Sequence, residues 1–147
     1  MADQDLLAPC GLYCGVCAIY LAHKEDNWKF KNGLAKYYQC APEEIVCKGC
    51  LSEERFVHCK GCSIRECTFL RGVEGCHQCD DFPCEFISEL PSLGQKVALR
   101  AIPAWRELGT ERFVRQEIER YHCPQCGYPL FRGVRRCRIC RVQVNLD

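Results

Sequence analysis

Apolar residues recur at helical spacing in only part of this chain. From 85 to 121 the pattern is nearly continuous: Phe86, Ile87 and Leu90, then Val97, Ala101 and Ile102, then Phe113, Val114, Ile118 and Tyr121. Positions three and four apart share one face of an α-helix, so this stretch predicts helices with one apolar side. Asp81-Phe82-Pro83 marks the first start, with Pro early in the helix, where its missing N–H does no harm. Pro91 interrupts, Ser92 caps a second helix that Pro103 ends or kinks, and Gly109-Thr110 forms the next stop and cap. Glu111 and Arg115 sit four apart with the acid first, the favourable order. The shared apolar face is read as core packed on the rest of the protein, with a partner groove as the competing reading.

Elsewhere the periodicity is short. A helix is expected over 25–38, with Trp28, Leu34, Ala35 and Tyr38 on its apolar side and Gly33 weakening it by about 1 kcal/mol relative to Ala. Trp28, Phe30, Tyr37 and Tyr38 interleave with Lys24, Lys29, Lys31 and Lys36, a composition that also fits a base-stacking platform. A buried stripe with a solvated basic edge is the preferred reading. Toward the C-terminus, Leu130, Phe131, Val134, Val142 and Val144 read as short strands.

Composition changes this picture through one residue. Of 147 residues, 16 are Cys, about 11%, which is above the range of ordinary proteins. Without them, 54 of the 70 apolar residues remain as core formers. So thin a core calls for disulfides or metal. The opening Met1-Ala-Asp-Gln-Asp-Leu-Leu has no basic segment followed by an apolar run, so no secretory leader is expected. No apolar run is long enough for a membrane span. The chain is therefore read as cytoplasmic, where thiols stay reduced and serve metals.

Spacing supports metal. Six pairs are C-x-x-C: Cys14/Cys17, Cys47/Cys50, Cys59/Cys62, Cys76/Cys79, Cys123/Cys126 and Cys137/Cys140. Two thiolates two residues apart on a tight turn can hold one ion together. The last two pairs form C-x₂-C-x₁₀-C-x₂-C, in which a β-hairpin would bring two turns face to face, and Gly127 suits a left-handed turn position. This segment resembles the zinc ribbons, a zinc-finger-type module, and the resemblance implies a closed structural Cys₄ zinc site. The remaining cysteines, Cys10, Cys14, Cys17, Cys40, Cys47, Cys50, Cys59, Cys62, Cys67, Cys76, Cys79 and Cys84, are the count for three more Cys₄ sites, or about four Zn²⁺ per chain. Sequential groups would be Cys10/Cys14/Cys17/Cys40, Cys47/Cys50/Cys59/Cys62 and Cys67/Cys76/Cys79/Cys84; interleaved groups fit the spacing equally well. His23, His58, His77 and His122 are candidate substitutes for a Cys but are read as bystanders.

Cys10, Cys14 and Cys17 have a second reading. Their C-x₃-C-x₂-C spacing is similar to that by which radical S-adenosylmethionine enzymes hold a [4Fe–4S] cluster. No series of βα units accompanies it, and Cys40 would close the site. Cys14 and Cys17 also have the form of a redox dithiol. No phosphate loop, nucleophile elbow or H-E-x-x-H helix is present, so an enzyme is not the preferred reading.

Charge narrows the partners. The formal net charge is +1, but each zinc on four thiolates adds −2, so four filled sites bring the chain to about −7. That balance argues against a global attraction to nucleic acid. The segment 121–147 is basic by itself, with Arg132, Arg135, Arg136, Arg138 and Arg141 against Asp147. Nucleic-acid binding through these arginines is the third reading, after a protein partner and iron–sulfur chemistry.

Four motifs occur in order over about 8–90: Cys10-Gly11-Leu12-Tyr13-Cys14 with Cys17; Cys47-x-Gly49-Cys50; Cys59-x-x-Cys62-x-Ile64-Arg65-x-Cys67; and Cys76-x-x-Cys79-x-x-Phe82-Pro83-Cys84. They resemble a family of small bacterial and archaeal cysteine-rich proteins of uncharacterised function, which implies a metal-binding domain there. The expectation is a small α+β, metal-stabilised chain: a multi-zinc module over 1–84, a helical segment over 85–121 packed on it, and a β zinc ribbon over 122–147. The expected role is that of an interaction or adaptor module.

Overall fold

The computed structural model describes residues 3–147. Met1 and Ala2, part of the stretch read as lacking a leader, lie outside the described residues. Six α-helices follow one another among those described: α1 Ala18–Lys24, α2 Trp28–Tyr38, α3 Ser63–Arg71, α4 Glu85–Ser88, α5 Ser92–Leu108 and α6 Thr110–Arg120. Short 3₁₀ turns at Asp3–Leu6, Cys14–Val16, Pro42–Glu44, Val57–Cys59 and Cys76–Gln78 fill much of the rest. The protein is small and helix-rich.

The expected α+β class is corrected. Among the described residues there are no strands, only three isolated antiparallel bridges, Leu7 with Tyr13, His122 with Pro129, and Arg136 with Gln143. Of the residues read as ribbon strands, Leu130 gives its N–H to the Tyr121 carbonyl at 2.8 Å and Val144 to the Arg135 carbonyl at 3.0 Å, while the intervening Arg132 N–H goes to the Val16 carbonyl at 2.8 Å. A ladder needs successive donors facing one neighbouring strand. Here the bonds within the segment are isolated, and Leu130 and Arg132 serve the end of α6 and the N-terminal loop.

The helical middle segment follows its apolar periodicity more closely than its predicted ends. Pro83 precedes the first helix rather than opening it, and α4 spans a single turn from Glu85. Pro91 is the N-cap of α5, and Ser92 its first residue. Pro103 does not end α5, which continues to Leu108. Pro103 and Leu99 both lie on the exposed side, so the carbonyl that Pro103 leaves without a helical donor faces solvent. Val97, Ala98, Ala101, Ile102 and Trp105 line the buried face of α5, and Phe113, Val114 and Tyr121 meet it from α6 and its end. The Trp105 Nε1–H donates to Thr110 Oγ1 at 2.9 Å across the Gly109 turn.

The helix read over 25–38 begins three residues later. Asp26 adopts φ 49°, and the Asn27 side chain accepts the Phe30 N–H at 3.0 Å as N-cap. Local side-chain capping of this kind decides where a helix starts. The aromatics do not form one platform: Tyr38 packs edge-on against Phe56, Phe30 packs against Phe131, and Trp28 lies under the Lys31 ammonium. Helices α1 and α3, which the apolar pattern did not predict, bury Ile19 and Ala22, and Ile64 and Thr68, respectively.

Three apolar clusters result. The largest joins Leu6, Leu7, Tyr13 and Val16 to Ile64, Ile87, α5 and α6. A second is built from Ile19, Ala22, Ala35, Ile45, Cys47 and Phe56 between α1, α2 and the following loop. The third is Cys123, Leu130, Cys137 and Val144.

Candidate metal centre

Cys123, Cys126, Cys137 and Cys140 converge, with all four sulfurs within 4.8 Å of one another. Cys123 and Cys140 lie 3.6 Å apart, as do Cys126 and Cys137. The two turns that present them are built alike. Gly127 N–H donates to the Cys123 carbonyl at 2.9 Å, and Arg141 N–H to the Cys137 carbonyl at 3.0 Å. Cys123 N–H reaches the Tyr128 carbonyl at 2.9 Å, and Cys137 N–H the Val142 carbonyl at 3.0 Å. Gly127 and Arg141 are both left-handed, at φ 76° and 66°. The expectation for Gly127 holds, and Arg141 plays the same part without a glycine's freedom.

The four thiols are electrostatically unequal. The Cys126 N–H donates to Cys123 Sγ at 3.5 Å; that bond lowers the Cys123 thiol to about 6. Cys137 is likewise lowered, first by the Cys140 N–H. At Cys126 the Tyr128 N–H pulls downward, but desolvation and the sulfurs of Cys137, Cys123 and Cys140 outweigh it and push the thiol up to about 12. Cys140 is raised, its Val142 N–H outweighed by desolvation and neighbouring sulfurs. Two sulfurs inclined to be thiolate and two that part with protons only to a cation are the donor chemistry of a soft-metal site.

Among the described residues no other group of three or more Cys, His, Asp or Glu brings its ligand atoms within 4.8 Å. The other twelve cysteines nonetheless fall into neighbourhoods. Cys67, Cys76, Cys79 and Cys84 line one cavity of about 350 Å³, together with Arg71 and Asp81. Burial first, then Cys84, Cys79 and Cys67, push the Cys76 thiol up to about 12. None of the four histidines joins the C-terminal cluster. His77 stacks on Trp105 at 3.6 Å, and His58 packs on Phe56.

Arginines frame these cysteines, a feature missed in reading the sequence for ligands. On α3, Arg65 reaches Cys50 Sγ at 3.4 Å and the Cys59 and Lys60 carbonyls at 3.1 and 2.8 Å. Arg71 reaches Cys79 Sγ at 3.4 Å and Asp81 at 2.9 Å. Arg106 on α5 holds the His77 and Cys79 carbonyls at 2.8 and 2.6 Å. The only hint was position, since Arg65 stands inside the third cysteine motif. Of the five C-terminal arginines, Arg132 turns inward onto the Tyr13 carbonyl. Arg135, Arg136, Arg138 and Arg141 are exposed.

These features define a helix-rich, cysteine-rich protein with a Cys₄ cluster suited to a metal ion. A family described as a protein of unknown function (DUF3795) matches over residues 6–89, and the chain belongs to that family. The match ends before the C-terminal cluster. Neither curated proteins nor solved structures give a match to the chain. No helix among the described residues is long and apolar enough to cross a membrane.

Proposed function

We propose that this is a zinc-stabilised interaction protein whose cysteines form structural Cys₄ sites, one at Cys123/Cys126/Cys137/Cys140 and three within the family domain. The supporting observation is the pair of 3.6 Å sulfur contacts in the C-terminal cluster. A tetrahedral zinc with Zn–S near 2.3 Å places its sulfurs about 3.8 Å apart, so an ion enters with little movement. Four thiolates fill every position and leave none for substrate, which suits a structural rather than a catalytic zinc.

An interaction role draws support from the surface. Phe69 and Leu70 on α3 are 83% and 76% exposed. Phe69 shares an open groove with Leu51, Val73, Arg55 and Lys60. Large apolar side chains grouped at a surface and rimmed by charge are characteristic of protein contact sites.

The test is elemental analysis with an absorption spectrum on protein purified without oxygen. About four zinc per chain and no visible absorption agree with the proposal. Iron and sulfide with broad visible absorption would overturn it in favour of a [4Fe–4S] centre at Cys10/Cys14/Cys17.

A further inference from the structure

Two arms of the family domain meet so that their cysteine pairs are split. Cys50 N–H donates to Cys14 Sγ at 3.4 Å, a contact spanning 36 residues. Cys10 lies in the largest apolar cluster, and Cys14, Cys50 and Cys62 pack against it. Cys47 lies in the second cluster, and Cys17 and Cys40 pack against that one. Each of the pairs Cys14/Cys17 and Cys47/Cys50 therefore straddles two cores. Resting on the zinc reading above, we propose that the first eight cysteines form two interleaved tetrathiolate sites, Cys10/Cys14/Cys50/Cys62 and Cys17/Cys40/Cys47/Cys59, each for one zinc ion.

Local contacts agree with this partition. The Cys59 N–H donates to the Phe56 carbonyl at 2.8 Å. Phe56, three residues before Cys59, is buried in the second cluster beside Tyr38, which carries the Cys59 turn toward that site. Cys40 follows the left-handed Gln39 that ends α2, and its N–H returns to the Ala35 carbonyl at 3.0 Å, holding it against the same core. The Arg65 guanidinium on Cys50 Sγ, and the Arg132 guanidinium on the Tyr13 carbonyl beside Cys14, partly offset the −2 charge of the filled sites. These sulfurs must still close to about 3.8 Å around an ion.

An interleaved pair of sites does what sequential sites do not. Each ion ties the segment 10–17 to the segment 47–62, so both close long loops and their loss is felt across the domain. Sequential grouping would make Cys47/Cys50/Cys59/Cys62 a local clip.

The deciding experiment is cadmium-113 NMR on the full chain with cadmium replacing zinc, using through-bond correlations to the cysteine Hβ protons. The expected result is one cadmium resonance correlated with Cys10, Cys14, Cys50 and Cys62, and another with Cys17, Cys40, Cys47 and Cys59. A resonance correlated with Cys47, Cys50, Cys59 and Cys62 together would overturn the grouping and leave the zinc reading standing. A single resonance, from Cys123/Cys126/Cys137/Cys140, would overturn both for the family domain. Native mass spectrometry supplies a second readout: C14S/C50S is expected to lose one ion and C14S/C17S two, and the reverse order would overturn the grouping.

Discussion

Arg132, in the loop between the two C-terminal cysteine pairs, donates its guanidinium N–H to the Tyr13 carbonyl at 2.9 Å, 119 residues earlier in the chain. Its backbone N–H meets the Val16 carbonyl at 2.8 Å. The C-terminal cluster is thereby fastened to the loop that holds Cys14 and Cys17. Burial works against the charge of Arg132, but the nearby Cys17, Cys14, Tyr121 and Cys10 groups outweigh it and keep the guanidinium protonated. Replacing Arg132 by Ala removes a charged hydrogen bond, a loss of about 2 kcal/mol. Denaturant unfolding of the loaded protein measures it, and Arg132→Lys, which cannot reproduce the planar fork, is expected to recover only part.

Arg100 and Glu117 join α5 to α6 through two bonds, at 2.6 and 3.2 Å. Glu117 is 1% exposed, and Tyr121 and Asp147 extend the network. Removing one partner of a buried pair leaves an uncompensated charge and costs about 3 kcal/mol. Arg100→Ala is expected to show that loss. The double variant Arg100→Met with Glu117→Leu is expected to recover most of it, as read from unfolding midpoints.

Gly11 lies at φ 90°, and a Cβ there would sit 2.9 Å from the Ala101 Cβ on α5. Both the backbone conformation and the contact oppose a side chain. Gly11→Ala is expected to destabilise the fold by about 2 kcal/mol, combining a left-handed penalty with overpacking. Thermal unfolding tests it. Because Gly11 adjoins Cys10, metal content is expected to fall in the same variant.

The paired turns at Gly127 and Arg141 make opposite predictions at equivalent positions. Arg141→Gly relieves a left-handed non-glycine residue and is expected to stabilise by about 1 kcal/mol. Gly127→Ala is expected to cost a similar amount. Equal signs for the two changes would contradict the equivalence of the turns.

Metal affinity at the C-terminal cluster depends on proton release. Cys126, at about 12, and the raised Cys140 hold protons at neutral pH, whereas Cys123, at about 6, does not. Binding therefore displaces at least two protons above pH 6, so affinity rises with pH, about tenfold per unit for each proton. Below about 6 Cys123 is protonated as well, and the slope steepens by one more proton. The difference between competitive zinc titrations of the full chain and of a Cys123→Ser/Cys137→Ser variant, taken between pH 5 and pH 8, would reveal the slope and its break.

How much of this was legible in the sequence differs by scale. The apolar faces of α5 and α6 were plain, because Val97, Ala101, Ile102, Phe113, Val114 and Tyr121 repeat at the period of the helix itself. The convergence of Cys123/Cys126 on Cys137/Cys140 was equally plain, since their spacing is set by two local turns. Helix ends were less so: Pro103 lies within α5 because its outward side tolerates an unbonded carbonyl, a matter of orientation that spacing does not reveal. The ribbon strands were misread because Leu130 and Val144 have the right residue types, but their N–H groups pair singly with Tyr121 and Arg135 and the intervening Arg132 N–H goes to Val16, so no ladder forms.

By itself, then, the sequence determined that this is a chain with too little apolar core, many paired thiols and one amphipathic helical stretch, because these depend on composition and on residues a few positions apart. Only the tertiary structure decided which distant groups meet: Cys50 with Cys14, Arg65 with Cys50, Arg132 with Tyr13. Such contacts join segments separated by long loops, whose closure entropy grows only slowly with length. Local spacing therefore leaves many pairings nearly equal in cost, and the selection among them falls to the packing of the two cores beneath the cysteines.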